Sequence, residues 1–260
     1  MKISTEPVIL KLGGSVITDK AADQGVVRGA DLLRIAKEVS EYRGKMIIVH
    51  GAGSFGHTYA KKYGLDRGFD PEGVIVTHES VKKLACRVVG ALNEYGVRAI
   101  AVHPMCCMVC RNGRIESIYL DNIRLMLENG FVPVLHGDVV MDLELGACVL
   151  SGDQIVPYLA KELKITRLGL GSAEDGVLDN DGKTIPEITP ETFENFKRYI
   201  RGSESTDVTG GMLGKVQELL ELSKTSCITS HIFNAGKKDN ICRFLNGESM
   251  GTTISPNKRV

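Results

Sequence analysis

Two glycine-rich segments each follow a short β-branched apolar run, and this pairing restricts the fold more than any other feature of the chain. Val8-Ile9-Leu10 leads into Lys11-Leu12-Gly13-Gly14-Ser15, and Met46-Ile47-Ile48-Val49 leads into His50-Gly51-Ala52-Gly53-Ser54-Phe55-Gly56-His57. Runs of this length and branching suit strands buried on both faces of a parallel sheet. A glycine turn just past such a strand lets backbone N–H groups approach an anion closely, and a following helix N-terminus adds positive potential. A single turn of this kind also serves as a plain turn. Two in one chain, one with a lysine and one with a histidine, predict two anionic groups held face to face, as phosphoryl transfer requires.

Strand and helix patterns alternate along the remainder, which predicts an α/β protein with a mostly parallel sheet between helical layers. Leu32, Leu33, Ile35, Ala36 and Val39 recur at helical spacing, as do Val81, Leu84, Ala85, Val88, Val89 and Leu92 ahead of Gly96. Residues 98–102 read as a strand, 121–128 as a helix, and 131–135 as a strand ending in His136-Gly137-Asp138. A helix over 155–163 is introduced by Ser151-Gly152-Asp153. Beyond it come a strand at 167–170, a hairpin turn at Asp179-Asn180-Asp181-Gly182, and helices over 191–200 and 212–222. A strand at 227–233, a helix at 239–245 and a short strand at 252–254 complete the pattern. The character changes near residue 165, which divides the chain into lobes 1–165 and 166–260. No linker or repeat separates them, so one continuous sheet is expected.

Composition removes several classes of function. The 260 residues carry a formal charge of zero, so no long-range field favours nucleic acid or an anionic membrane. Residues 1–7 hold two charges and no apolar core, unlike a secretory signal, and no apolar stretch approaches the roughly 20 residues that span a bilayer. Seven cysteines, an odd number scattered through apolar stretches, read as reduced cytoplasmic thiols. Cys107 and Cys110 have C-x-x-C spacing beside His103 and Cys106, but no second pair exists, so thiols packed as small apolar residues are expected and no metal site. His50, His78 and His136 are read as structural.

The charged residues at the turns carry the chemistry. Lys11, at a strand end beside free N–H groups, can neutralise a transferring phosphoryl group. The spacing is neither a P-loop nor a dinucleotide-binding glycine turn. Asp207-Val208-Thr209-Gly210-Gly211-Met212-Leu213-Gly214-Lys215 repeats the theme, a glycine pair opening a helix with a lysine four residues on. Ser151-Gly152-Asp153 sets a carboxylate at a helix start, where an N-cap alone would account for it.

In order and spacing, these four segments resemble the amino acid kinase superfamily. Ser54-Phe55-Gly56-His57, Thr18-Asp19-Lys20, His136-Gly137-Asp138 and 155–160 bring the likeness closest to the isopentenyl phosphate kinases of archaeal type. The resemblance implies a three-layer αβα sandwich, with ATP held by the C-terminal lobe and the phosphate acceptor by the N-terminal lobe. It implies transfer from ATP to isopentenyl phosphate, giving isopentenyl diphosphate for isoprenoid biosynthesis. His57 would bond the acceptor phosphate, with the backbone of Ala52, Gly53 and Gly152 completing its cradle. Lys11 and Lys215 would lie along the ATP phosphates among Gly13, Gly14, Ser15, Gly53, Asp175, Gly210 and Gly211. Lys20 would stabilise the transition state, and Asp153 would orient the lysines. Mg2+ would be bound mainly by ATP oxygens and water, and a homodimer would form through the N-terminal lobe.

The acceptor's five-carbon tail requires an apolar lining, for which Val74, Ile75, Val76, Val81 and Leu84 are the candidates. One segment departs from the family pattern. In Ser172-Ala173-Glu174-Asp175-Gly176, Ala173 stands where a nucleotide-contacting aspartate is expected, and Leu178 where an aromatic residue often follows. A superfamily kinase acting on another small phosphate or phosphonate such as fosfomycin, one with an acyl or amino acid acceptor, and a nucleotide-binding protein of reduced activity remain alternatives at this level.

Overall fold

A computed structural model of the chain describes residues 6–19, 25–200, 211–226 and 228–257. The first glycine turn separates β1 (Val8–Leu12) from a single helical turn, α1 (Gly14–Ile17), and α2 (Gly29–Ser40) follows. Past β2 (Met46–His50) the second glycine turn enters a 3-10 turn at Gly53–Phe55, then α3 (His57–Lys62), the long α4 (Pro71–Glu94) and β3 (Ala99–Ala101). Next come α5 (Pro104–Cys107), β4 (Met108–Arg111), β5 (Arg114–Ile118), α6 (Asp121–Glu128), β6 (Val132–His136), β7 (Asp138–Asp142), β8 (Gly146–Leu150) and α7 (Gly152–Leu163). The remainder forms β9 (Arg167–Ser172), β10 (Glu187–Ile188), α8 (Phe193–Ile200), α9 (Gly211–Thr225), β11 (Thr229–Asn234), α10 (Asn240–Leu245) and β12 (Thr252–Ile254).

Eight strands form one sheet in the order β10-β12-β11-β9-β1-β2-β6-β3, parallel except where β11 meets β12. The two halves of the chain join at its centre, where Lys11 of β1 is in register with Val49 of β2 and Leu170 of β9. Alternate residues of the central strands face opposite layers. Ile9, Ile47, Leu135 and Leu168 pack with α7 and α9, while Val8, Leu10, Ile48 and Phe233 pack with α2, α4 and α10. The expected three layers follow from this alternation, because each face must bury its apolar side chains under helices.

Two helices begin earlier than periodicity indicates, and caps explain both. Asp70 accepts from Gly73 N and Pro71 occupies the first turn, so α4 starts a full ten residues before Val81. Ser151 accepts from Gln154 N at 3.3 Å while Gln154 Oε1 accepts from Ser151 N at 3.1 Å, a capping box that opens α7 at Gly152.

A second sheet, β5-β4-β7-β8, was not expected. The positive φ angles of Asn112 and Gly113 close its β4–β5 hairpin. Asp142 accepts from the backbone N–H groups of Asn112, Gly113, Glu144 and Leu145 and ties the two hairpins together. This sheet absorbs the cysteine-rich segment. Cys110 and Cys148 are buried, as apolar thiols should be, but Cys106 is exposed and Cys107 half-buried, so the expectation fails for Cys106. Among the described residues no helix is long and apolar enough to cross a membrane.

Candidate active site

The glycine turns after β1 and β2 touch backbone to backbone. A Cβ on Gly14 would lie 2.6 Å from Gly53 Cα, one on Gly51 would lie 2.6 Å from Gly14 N, and one on Gly13 would lie 2.9 Å from Gly171 O. Glycine is required here by close approach, and at Gly53 also by its φ of +52°. Thr18 Oγ1 locks the contact, donating to Gly14 O at 2.7 Å and accepting from Ser54 N at 3.2 Å. Gly13 N donates to Gly171 O at 2.8 Å and ties the first turn to β9.

Above these turns opens a cavity of about 660 Å³. The starts of α1, α7 and α9, marked by Gly14, Gly152 and Gly211, all line it. Helix N-termini carry unpaired N–H donors and positive potential, so three of them at one cavity favour anions.

Asp153, in the first turn of α7, draws two lysines together. Lys11 Nζ lies 2.8 Å from Asp153 Oδ1, and Lys215 Nζ of α9 lies 3.1 Å from both Asp153 oxygens. Burial raises the Asp153 carboxyl, but the charges of Lys11 and Lys215 overcome it and hold the group at about 2. Burial of Lys11 outweighs its pairing with Asp153 and lowers it to about 8, with Lys215 pushing in the same direction. One carboxylate shared by two cations leaves a surplus of one positive charge at the cavity floor when both lysines are protonated. An incoming polyphosphate would neutralise that surplus.

Lys11, Gly13, Gly14, Ser15, Ala52, Gly53, His57, Gly152, Asp153, Gly211 and Lys215 all line this single cavity. Asp175 is directed elsewhere, accepting from Lys237 Nζ at 2.8 Å and Asn234 Nδ2 at 3.0 Å. Lys20 and Gly210 lie outside the described residues. The departure from the family pattern does reach the site, since Ala173 and Glu174 are on its wall.

The apolar lining needs correction. Val81 lines the cavity, but Ile75 is 63 % exposed, and Val74 and Leu84 belong to separate cores. Helical spacing makes Thr77 the partner of Val81, and Val149 and Leu150 of β8 complete the wall. Thr18 and Asp138, which entered the sequence reading only as marks of the resemblance, and Arg28 and Lys61, which it missed, also line the cavity. Lys61 carried a usable signal, lying one helical turn beyond His57 on α3.

Among the described residues no three histidine, cysteine or acidic side chains gather to hold a metal ion. Asp153, at the cavity floor, is already paired with both lysines. The side chains present therefore do not fit a protein cage for Mg2+.

A three-layer fold with paired lysines and glycine turns at the C-terminal ends of the central strands fits a phosphate-handling class, and the chain belongs to the Amino acid kinase family, whose sequence pattern matches residues 6–234. The chain is 41 % identical over 255 residues to isopentenyl phosphate kinase of Haloferax volcanii, covering 95 % of this chain and 98 % of that one. It is 38 % identical over 264 residues to isopentenyl phosphate kinase of Methanothermobacter thermautotrophicus, with the same coverage of both. A crystal structure of isopentenyl phosphate kinase superposes with a TM-score of 0.84 at 35 % identity, covering 96 % of this chain and all of that one. The fold is that of the amino acid kinases.

Proposed function

We propose that this protein transfers the γ-phosphoryl group of ATP to isopentenyl phosphate, forming isopentenyl diphosphate and ADP. The observation that carries this reading is Asp153 holding Lys11 and Lys215 together beside two abutting glycine turns, in the cavity that His57 also lines. The full-length similarity to enzymes named isopentenyl phosphate kinase selects the acceptor.

The acceptor phosphate is anionic near neutral pH, so no general base is needed. Its oxygen attacks the γ-phosphorus as the bond to the β-phosphate bridging oxygen breaks, and ADP leaves with that electron pair. Lys11 and Lys215 neutralise the phosphoryl oxygens, and Asp153 fixes their positions by charge-assisted hydrogen bonds. His57 and the N–H groups at Ala52, Gly53 and Gly152 hold the acceptor phosphate, and Val81, Val149 and Leu150 meet its tail. Lys20 supplies charge in the transition state. The acceptor belongs to residues 1–165 and the nucleotide to residues 166–260, beside Gly211 and Lys215. Mg2+ would come with the nucleotide and offset charge on its phosphates, with no ligand set supplied by the protein's described residues. The enzyme is a cytoplasmic homodimer joined through its first half, where Tyr119 and Leu125 are among the large apolar side chains left exposed.

The test is an ADP-release assay with isopentenyl phosphate, dimethylallyl phosphate, fosfomycin, UMP and N-acetylglutamate in parallel. Turnover of isopentenyl phosphate at the highest kcat/KM is expected. Turnover of fosfomycin or UMP with none of isopentenyl phosphate overturns the assignment.

A further inference from the structure

Four of the chain's six histidines form a cluster beneath the acceptor side of the cavity that the proposed chemistry leaves unused. His50 and His136, fully buried at the ends of β2 and β6, stack with ring centres 5.4 Å apart. His103 Nδ1 lies 2.8 Å from His136 Nε2, and His78 of α4 meets His103 edge-on at 6.2 Å. The cluster ends at Asp138, whose side chain is 0 % exposed and which lines the cavity. His78 Nδ1 lies 3.0 and 3.1 Å from the two Asp138 oxygens.

Asp138 sits at a sensitive point. It follows Gly137, where a Cβ would lie 3.5 Å from both Ala52 N and Gly152 N, two members of the acceptor cradle. A phosphate monoester carries about −1.5 to −2 charges at neutral pH, so a bare carboxylate there repels it. The N–H groups of Val139 and Met105 also reach Asp138 but bring no net charge.

His136 does not supply the missing cation. Its Nδ1 is 3.0 Å from Gly137 O, to which it donates, so Nε2 is left to accept from His103 Nδ1. Both hydrogen bonds are satisfied by neutral rings. Burial, followed by the neighbouring His50, lowers His136 to about 3, and burial also lowers His103 and lowers His50 to about 4. His78 alone of the four is raised, chiefly by its hydrogen bond to Asp138. The groups facing it are Asp138 from β7, His103 from the segment before α5, and Lys82 and Glu79 from its own helix.

We propose that His78 is a positioning residue for the acceptor: as an imidazolium it neutralises Asp138 in the cavity wall, so that the acceptor phosphate binds beside a neutral ion pair. The inference rests on the proposed function and extends it to a residue that need not touch substrate. The acceptor KM should rise as pH passes the His78 pKa, because the ring then loses the charge that offsets the carboxylate.

The experiment measures kcat and both KM values from about pH 6 to 9 for the wild type, His78→Asn, and His78→Asn with Asp138→Asn. Asparagine retains a donor near the Nδ1 position without the charge. At about pH 6.5, His78→Asn should raise the acceptor KM at least about fivefold and leave the ATP KM within about twofold. Titration of the acceptor itself cancels in the ratio to wild type, and that ratio should close toward unity as pH rises. Adding Asp138→Asn should restore the acceptor KM, which a loss of packing would not allow.

An unchanged acceptor KM, a parallel rise in the ATP KM, or no restoration overturns the inference while leaving the proposed function in place. Absence of wild-type turnover with isopentenyl phosphate overturns both. A measurement independent of variant folding is the NMR titration of the wild-type His78 ring, expected above the ordinary value of about 6.5. A midpoint at or below that value overturns the inference.

Discussion

Lys11 and Asp153 are separated by 142 residues in the chain and by 2.8 Å in space. β1 delivers the lysine from the centre of the sheet, and the first turn of α7 delivers the carboxylate, which then reaches Lys215 as well. The site depends on this one acid to hold two cations at the floor of an anion-binding cavity.

Asp153→Asn is expected to impair stability and catalysis together. Two buried ammonium groups would face each other uncompensated, and breaking such a pair costs about 3–5 kcal/mol. kcat should fall on the order of 10²–10³ as the lysines lose position or charge. Calorimetry and steady-state kinetics check this, and an unchanged Tm with an unchanged kcat would contradict it. Because the Asp153 carboxyl is held at about 2, below the ordinary 3.8, its contribution to stability is present above 3.8 and is lost as pH falls through 2.

The alkaline side of the rate profile should report Lys11. Burial lowers it to about 8, so the free enzyme loses this charge as pH rises through that value. The kcat/KM for ATP is therefore expected to decline above about pH 8, with kcat declining at higher pH because bound phosphates favour the protonated lysine. A profile that stays flat to pH 10 would show that the charge of Lys11 is not needed.

His57→Ala should act on the acceptor. A charge-assisted hydrogen bond to phosphate contributes about 1.5–3 kcal/mol, so the KM for isopentenyl phosphate should rise by at least about tenfold. The KM for ATP should hardly change. Equal changes in both constants would mark His57 as structural.

Lys20 lies outside the described residues, and its role follows from the family resemblance alone. If its charge meets the phosphoryl group only in the transition state, Lys20→Ala lowers kcat on the order of 10²–10³ with little effect on either KM. A kcat within about threefold of wild type would leave the charge to Lys11 and Lys215.

The contact between the glycine turns is tested by paired substitutions. Gly14→Ala sets a Cβ 2.6 Å from Gly53 backbone atoms and should destabilise the protein by about 1–3 kcal/mol while lowering kcat/KM. Gly90→Ala within α4 meets nothing within 4 Å and should stabilise it by about 0.4–1 kcal/mol. Denaturant midpoints distinguish the two, and loss of stability in both would place the effect elsewhere.

Local patterns in the sequence determined the strand-to-glycine-turn units, the helical stripes of α2 and α4, and the residue types suited to an anion at the turns. These are short-range properties, written in side-chain branching, periodicity and the steric freedom of glycine. Tertiary structure alone decided that Asp153 is more than a helix-start residue, because Lys215 reaches it from 62 positions away. It also decided which residues of α4 face the cavity, since Ile75 and Val81 belong to one apolar pattern but Ile75 is exposed while Val81 is buried beside Gly56. That second sheet escaped sequence reading because its strands are short and the β4–β5 pairing shifts register between Val109 and Cys110, which breaks the period-two alternation. The pairing of His78 with Asp138, 60 positions apart, was hidden for a different reason. Charge compensation between distant segments leaves no periodic trace and emerges only when folding buries both groups together.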